Sequence, residues 1–271
     1  MEGSTTRLGV VGWPVAHSRS PAIQNAALAA VGLTGWRYQL LPIPPEVFAE
    51  TVVALPDVGF RGVNVTIPHK EAALAFATDP TPCARAIGAA NALVFEGNGR
   101  IVADNTDAPG LIGALPFAPA GRSALVLGAG GSARAVVWAL LDAGAREVRI
   151  WNRTPKRAQA LAAELGGAAV DRAAPADLLV NCTASGLDPS EDTFTTLPIA
   201  ADDLTDYGCV VDLVYGDSET PLVQAARARQ VRVVRGRELL VRQGALSFEL
   251  FTGRRAPIEL MRRAVEMRHG E

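Results

Sequence analysis

A two-domain α/β protein is predicted from three observations on the 271-residue sequence. Short apolar runs alternate with helical stretches over nearly the whole chain. The apolar runs are continuous rather than interleaved with polar residues, the pattern of mostly parallel strands covered on both faces. Pro116, Pro119 and Gly121 interrupt the alternation just before a new strand, which puts a boundary near Pro116–Arg122.

In order, Leu8–Gly12 reads as a short buried strand and Pro21–Val31 as an Ala-rich helix. Tyr38–Leu41 is a strand, Pro45–Leu55 a helix opened by proline, and Gly62–Thr66 a strand stopped before Pro68. Beyond the boundary, Ala124–Leu127 is a strand and Ser132–Ala143 a helix closed by Gly144. Val148–Trp151 is a strand, and Pro155–Leu165 a helix ended by Gly166-Gly167. Leu178–Cys182, Cys209–Leu213 and Val231–Val234 are strands, with a helix over Thr220–Arg229. Glu238–Phe251 and Pro257–Met267 read as two closing helices.

Hydrophobic residues make up 49% and charged residues 20%, which excludes a disordered or low-complexity chain. With 26 Lys+Arg against 28 Asp+Glu, the net charge of -2 gives no electrostatic reason to expect nucleic acid. No uncharged apolar run approaches the roughly 20 residues that span a bilayer, and even Ala135–Leu141 is bracketed by Arg134 and Asp142. Met1–Thr6 carries neither a basic nor an apolar leader signature, so a soluble cytoplasmic protein is expected. Cys83, Cys182 and Cys209, like His17, His69 and His269, are too scattered to suggest a disulfide framework or a metal centre.

The strand Ala124–Leu127 runs directly into Gly128-Ala129-Gly130-Gly131-Ser132-Ala133 and then a helix. This G-x-G-x-x-A pattern suits a dinucleotide. Gly128 permits the tight turn, Gly130 lets the backbone approach a pyrophosphate, and Ala133 keeps the helix close to the strand. The next strand ends without the Asp or Glu that accepts from a free ribose. Asn152-Arg153-Thr154-Pro155-Lys156-Arg157 follows it instead. Three cations at a helix start oppose the helix dipole, so an external 2′-phosphate explains them better than a solvated face. NADP(H) is therefore predicted over NAD(H).

Three further clusters are polar where core is expected. Ser18 and Ser20 precede Pro21, with Ser20 reading as N-cap and Pro21 as the first helical residue. Their hydroxyls either cap that helix or hold a ligand carboxylate. Asn64 and Thr66 share one face of a strand, and Pro68 turns the chain so that Lys70 stands at the strand exit, facing either solvent or a ligand. Asn91 and the run Asp104-Asn105-Thr106-Asp107 make either a turn that caps a helix near Ala108, or one half of an ammonium–carboxylate pair with Lys70.

Taken together, these motifs resemble the shikimate dehydrogenase family, and the resemblance runs along almost the whole chain. It rests on His17-Ser18-Arg19-Ser20-Pro21, Asn64-Val65-Thr66-Ile67-Pro68-His69-Lys70, Asn105-Thr106-Asp107, Gly128-Ala129-Gly130-Gly131, Asn152-Arg153-Thr154 and Gln243-Gly244-Ala245, in the family's order. The resemblance implies NADPH-dependent, reversible reduction of 3-dehydroshikimate to shikimate. It implies a substrate-binding domain of residues 1–107 and 238–271 and a Rossmann-type NADP-binding domain of residues 108–237. The C-terminal helices would return to the N-terminal domain.

By position, Lys70 and Asp107 resemble the catalytic pair, and Ser18 and Ser20 the carboxylate binders. Asn64, Thr66, Asn91 and Gln243 resemble the residues that bond ring hydroxyls, and Tyr215 one near the substrate. Asn152, Arg153 and Thr154 resemble the 2′-phosphate site, Thr183 resembles part of the family's loop beside the cofactor, and Leu213 and Gly236 resemble residues that the family places near the nicotinamide. The chain departs from the family pattern at Gln24, Ala92, Ala103 and Leu187. A quinate/shikimate or aminoshikimate-type enzyme and a non-catalytic NADP-binding module are the competing expectations. The expected partner is a small molecule, with no nucleic acid and no membrane, for a monomer or homodimer.

Overall fold

The structure, a computed structural model, describes residues 5–188, 191–216 and 218–267. His269 and most of the Met1–Thr6 stretch singled out above lie outside the described residues. The chain divides into two compact units, Met1–Gly110 with Leu240–Glu271, and Leu111–Leu239.

The first unit contains β1 (Thr6–Gly12), α1 (Ser20–Ala30), β2 (Trp36–Pro42), α2 (Phe48–Ala54), β3 (Phe60–Val65), α3 (Lys70–Phe76), β4 (Asp79–Pro80), α4 (Pro82–Ile87), β5 (Ala92–Phe95), β6 (Ile101–Asp104) and the start of α5 (Asp107–Ala114). Its sheet has the order β2-β1-β3-β5-β6-β4. β1 pairs in parallel with β2 and β3, whereas β5 lies antiparallel between β3 and β6. Sequence patterning did not resolve this hairpin, because its strands are only four residues each and carry too little periodicity to register. Val11, Val63, Val65 and Leu93 from the sheet pack with Phe48, Val52 and Phe60 to form the core.

The second unit contains β7 (Ser123–Leu127), α6 (Gly131–Asp142), β8 (Glu147–Trp151), α7 (Pro155–Leu165), β9 (Ala168–Ala169), β10 (Ala176–Asn181), α8 (Thr193–Thr196), β11 (Tyr207–Asp212), α9 (Pro221–Ala228) and β12 (Arg232–Arg235). All its strand pairs are parallel, in the order β12-β11-β10-β7-β8-β9. This is the doubly wound dinucleotide-binding order, with its reversal between β7 and β10. Leu127, Trp151, Asn181, Asp212 and Arg235 stand in one register row at the carboxyl edge.

Two helices carry the chain across the division: α5, and α10 (Gly236–Thr252), which is followed by α11 (Ile258–Glu266) in the first unit. The division therefore falls inside α5, at Gly110, and not at Pro116–Arg122. The prolines there follow the end of that helix, and a continuous helix leaves no compositional break at the division itself. In the first unit Phe248 and Phe251 of α10 are fully buried, and Arg61 Nε donates to the Phe251 carbonyl at 2.8 Å. Among the described residues, no helix is long and apolar enough to cross a membrane.

Candidate active site

In the first unit Val10, Asn64, Ala92 and Asp104 stand in register across β1, β3, β5 and β6, and Thr66, Asn91 and Asp107 lie just beyond that row. After Val65 the chain turns, with the His69 amide donating to the Thr66 carbonyl at 2.9 Å, and α3 opens on Lys70. His69 is buried, its ring stacks on Phe48 at 4.2 Å, and its Nε2 lies 2.7 Å from the Ile43 carbonyl, which fixes this turn. Lys70 is therefore 9% exposed rather than solvent-facing. Its Nζ donates to Asp107 Oδ2 at 2.6 Å.

Asp107 is available for this contact because it does not cap its own helix. Asn105 Oδ1 does so, accepting the amides of Asp107 at 3.1 Å and Ala108 at 3.3 Å. Of the two alternatives for the Asp104–Asp107 run, the cap belongs to Asn105 and the ion pair to Asp107. Asn91 Nδ2 donates to the second carboxylate oxygen, Asp107 Oδ1, at 2.8 Å and to Thr106 Oγ1 at 2.9 Å. Asn91 Oδ1 accepts the Thr106 amide at 2.7 Å, and Gln243 Oε1 lies 3.4 Å from Nδ2.

Asn64 is held by Tyr38 and Ser247, neither of which the sequence marks as a site residue. Tyr38 Oη donates to its Oδ1 at 2.8 Å, and its Nδ2 donates to Ser247 Oγ at 2.8 Å and to the Asn91 carbonyl at 3.1 Å. An amide nitrogen has two hydrogens, so Asn64 in this arrangement meets a ligand only as an acceptor. Ser247, fully buried, also lies 3.0 Å from Thr106 Oγ1 and donates to the Gln243 carbonyl at 3.0 Å. The signal that could have found Ser247 is its place one helical turn after Gln243, on the same face of α10.

The Thr66 side chain has no hydrogen-bond partner among the described residues. The α1 start differs from expectation: Arg19, not Ser20, occupies the N-cap position, and no side chain caps the helix. The Arg19 carbonyl already accepts the amides of Ala22 and Ile23, so Ser20 is the first helical residue and Pro21 the second. Ser18 Oγ donates to Ser20 Oγ at 3.2 Å, both residues being buried. Of the departures, Gln24 is buried with Nε2 on the Gly244 carbonyl at 2.8 Å and Oε1 unpartnered among the described residues. Ala92 and Ala103 are buried in the sheet, and Leu187 is exposed.

In the second unit every cofactor candidate follows the register row at the carboxyl edge, where parallel α/β sheets bind ligands. Gly128 has φ +113°, and a Cβ there would lie 3.2 Å from the Cys182 backbone. Nothing stands within 4 Å of a Cβ on Gly130, so the Gly128–Ala133 turn is open above its second glycine. Ala133, in the first turn of α6, is fully buried. Arg153, Lys156 and Arg157 are exposed at the start of α7, whose first turn carries no acid, and none has an ion-pair partner among the described residues. Thr154 caps that helix without a side-chain hydrogen bond, which leaves its hydroxyl available, and Asn152 Nδ2 donates to the Thr154 carbonyl at 3.0 Å. The residues present therefore fit NADP(H): a glycine turn open above Gly130 for a pyrophosphate and cations without an ion-pair partner among the described residues for a 2′-phosphate. Thr183 follows β10, its hydroxyl donating to Asn181 Oδ1 at 2.7 Å; Leu213 and Tyr215 follow β11, and Gly236 follows β12. Tyr215 belongs to the second unit, and the other substrate-side candidates to the first.

The fold and these residues define a two-domain α/β protein with a doubly wound dinucleotide-type unit and a lysine–carboxylate pair in the other unit. Residues 10–93 match the model of the shikimate dehydrogenase substrate binding domain. Residues 117–186 match shikimate / quinate 5-dehydrogenase, and residues 236–266 the shikimate 5'-dehydrogenase C-terminal domain. The shikimate dehydrogenase (NADP(+)) of Methylobacterium radiotolerans is 46% identical over 271 residues, covering 94% of each chain. That of Thermus thermophilus is 46% identical over 252 residues, covering 91% of this chain and 92% of its own. A crystal structure of shikimate 5-dehydrogenase from Thermus thermophilus, in complex with NADP(H) and shikimate, superposes with a TM-score of 0.83 at 41% identity, covering 96% of this chain and 98% of that one. The chain belongs to the shikimate dehydrogenase family.

Proposed function

We propose that this protein reduces 3-dehydroshikimate reversibly to shikimate with NADPH. The observation that carries the reading is the 2.6 Å contact between Lys70 Nζ and Asp107 Oδ2, set among Asn91, Thr66 and Gln243 in a chain of this family. NADPH, when bound, supplies the hydride. The chain's part is to orient the ketone and to move one proton. Lys70 Nζ gives a proton to the carbonyl oxygen as negative charge develops there, and takes one from the alcohol in the reverse direction. Asp107 keeps the ammonium in place, and Asn91 fixes Asp107 through its second oxygen. Ser18 and Ser20 bind the substrate carboxylate, while Asn64, Thr66 and Gln243 bond ring hydroxyls. Gly128–Ala133 takes the pyrophosphate, Asn152–Arg157 the 2′-phosphate, and Thr183, Leu213 and Gly236 the nicotinamide end. The substrate-binding role belongs to the first unit and the NADP-binding role to the second. An absorbance assay pairing shikimate or quinate with NADP+ or NAD+ tests this. Shikimate with NADP+ is expected to be the fastest pair; equal or greater turnover of quinate, or a preference for NAD+, overturns the assignment.

A further inference from the structure

Asp212 ends β11 at the carboxyl edge of the second sheet, fully buried, and the reaction described above does not use it. Three donors converge on its carboxylate. Asn181 Nδ2 at 2.9 Å and the Val214 amide at 3.1 Å meet Oδ1, and Thr220 Oγ1 at 2.5 Å meets Oδ2. None is a cation, and burying a carboxylate without one is costly. Burial accordingly pushes the Asp212 carboxyl up to about 6, against the downward pull of its hydrogen bonds.

What the group provides is geometry. Asn181 opens the loop after β10, where its Oδ1 accepts the Thr183 amide at 3.1 Å and hydroxyl at 2.7 Å. Its Nδ2 also reaches the Ser185 carbonyl at 3.3 Å. Val214 lies in the segment after β11, where the Leu213 amide donates to the Asn181 carbonyl at 3.0 Å. Thr220 Oγ1 accepts the Val223 amide at 3.3 Å and so opens α9. One carboxylate thus ties both loops and a helix start. The first loop abuts the glycine turn through the Cys182 backbone. The second abuts Gly236, where a Cβ would lie 2.6 Å from the Val214 carbonyl oxygen and 2.7 Å from that of Leu213. Val214, Tyr215, Thr220 and Gly236 line a cavity of about 210 Å³ in this unit.

We propose that Asp212 is a positioning residue for the cofactor, holding Asn181–Ser185 and Leu213–Tyr215 in the arrangement that presents Thr183 and Leu213 to the nicotinamide end of NADP(H). The proposal rests on the cofactor reading above. Asp212→Asn keeps the Oδ1 acceptor for Asn181 and Val214, whereas Asp212→Ala removes every contact. Asp212→Ala is expected to raise the Kd for NADPH, read by nucleotide fluorescence, and the KM for NADP+ by about 10- to 100-fold, the scale of a displaced binding group. The KM for shikimate stays near the wild-type value, and Asp212→Asn restores most of the loss. Asn181→Ala reproduces the defect, and in the double variant the two losses are less than additive, because the two residues share one contact. If Asp212→Ala is unfolded by circular dichroism, Asn181→Ala carries the test on the same criteria. In the protein without nucleotide, amide hydrogen exchange at Thr183, Ser185 and Val214 accelerates in Asp212→Ala, while β7 and β8 keep their protection. Unchanged NADPH binding, or an equal rise in both KM values, overturns the proposal. A wild-type chain that does not bind NADPH overturns the cofactor reading and this proposal with it; wild-type binding matched by Asp212→Ala overturns the proposal alone.

Discussion

Lys70 and Asp107 lie 37 positions apart in the sequence and meet because two separate turns deliver them. One turn is fixed by buried His69 and the other by the Asn105 cap. Lys70→Met keeps the aliphatic stem and removes the ammonium. It is expected to lower kcat about 10²- to 10⁴-fold in both directions with a far smaller change in the KM for shikimate, as steady-state kinetics will read. Ser247→Ala leaves the Asn64 amide and the Thr106 hydroxyl short of a buried partner, a loss of about 1–3 kcal/mol. A lower melting temperature and a raised KM for shikimate with kcat nearly kept are expected. Lys70 and Asp107 were legible as polar residues where a strand exits and a helix starts. Which of Asn105 and Asp107 caps the helix was not, because both side chains are competent and only the folded geometry assigns them. Ser247 and Tyr38 were hidden for another reason: a lone hydroxyl within a helix or strand pattern reads as ordinary composition until its neighbours across the sheet are known.

At the level of elements, the centre of the parallel sheet in the second unit was readable because β7, β10 and β11 each carry a continuous apolar run, whereas the two-residue β9 leaves no pattern to read. The β5–β6 hairpin was not, since its two short strands sit among alanines that suit helix equally well. The start of α7 carries three cations that have no ion-pair partner among the described residues. Arg153→Ala is expected to lower the ratio of kcat/KM for NADPH over NADH about 10- to 100-fold, the worth of one charge-assisted contact, measured with both nucleotides. Burial of Asp212 also makes stability depend on pH. Its carboxyl stands at 3.8 when free and about 6 when folded, so between those values the folded chain holds the proton and the unfolded chain does not. Stability therefore falls as pH rises through that window, by about 3 kcal/mol in total. Asp212→Asn has no such proton to lose. Its melting temperature relative to wild type is expected to climb from pH 4 to pH 7, and a constant difference would contradict the assignment.

Over the whole molecule, fold class was legible from alternation alone, whereas the division between units was not, because α5 and α10 carry the chain through it as unbroken helices. Within the first unit, α10 seats against β3 where Gly62 leaves room: a Cβ there would lie 2.6 Å from the Phe251 ring. Gly62→Val is expected to destabilise the protein by about 1–3 kcal/mol through overpacking, read as a lower denaturation midpoint in urea. The discontinuity of this unit also bears on how the chain is made. Residues Met1–Gly110 leave the ribosome early but must wait for Leu240–Glu271 before Phe251 can fill its notch, while the uninterrupted segment Leu111–Leu239 has all its strands in hand sooner. The half synthesised first is thus the half completed last, and during that interval the notch on β3 that Phe251 fills stays open.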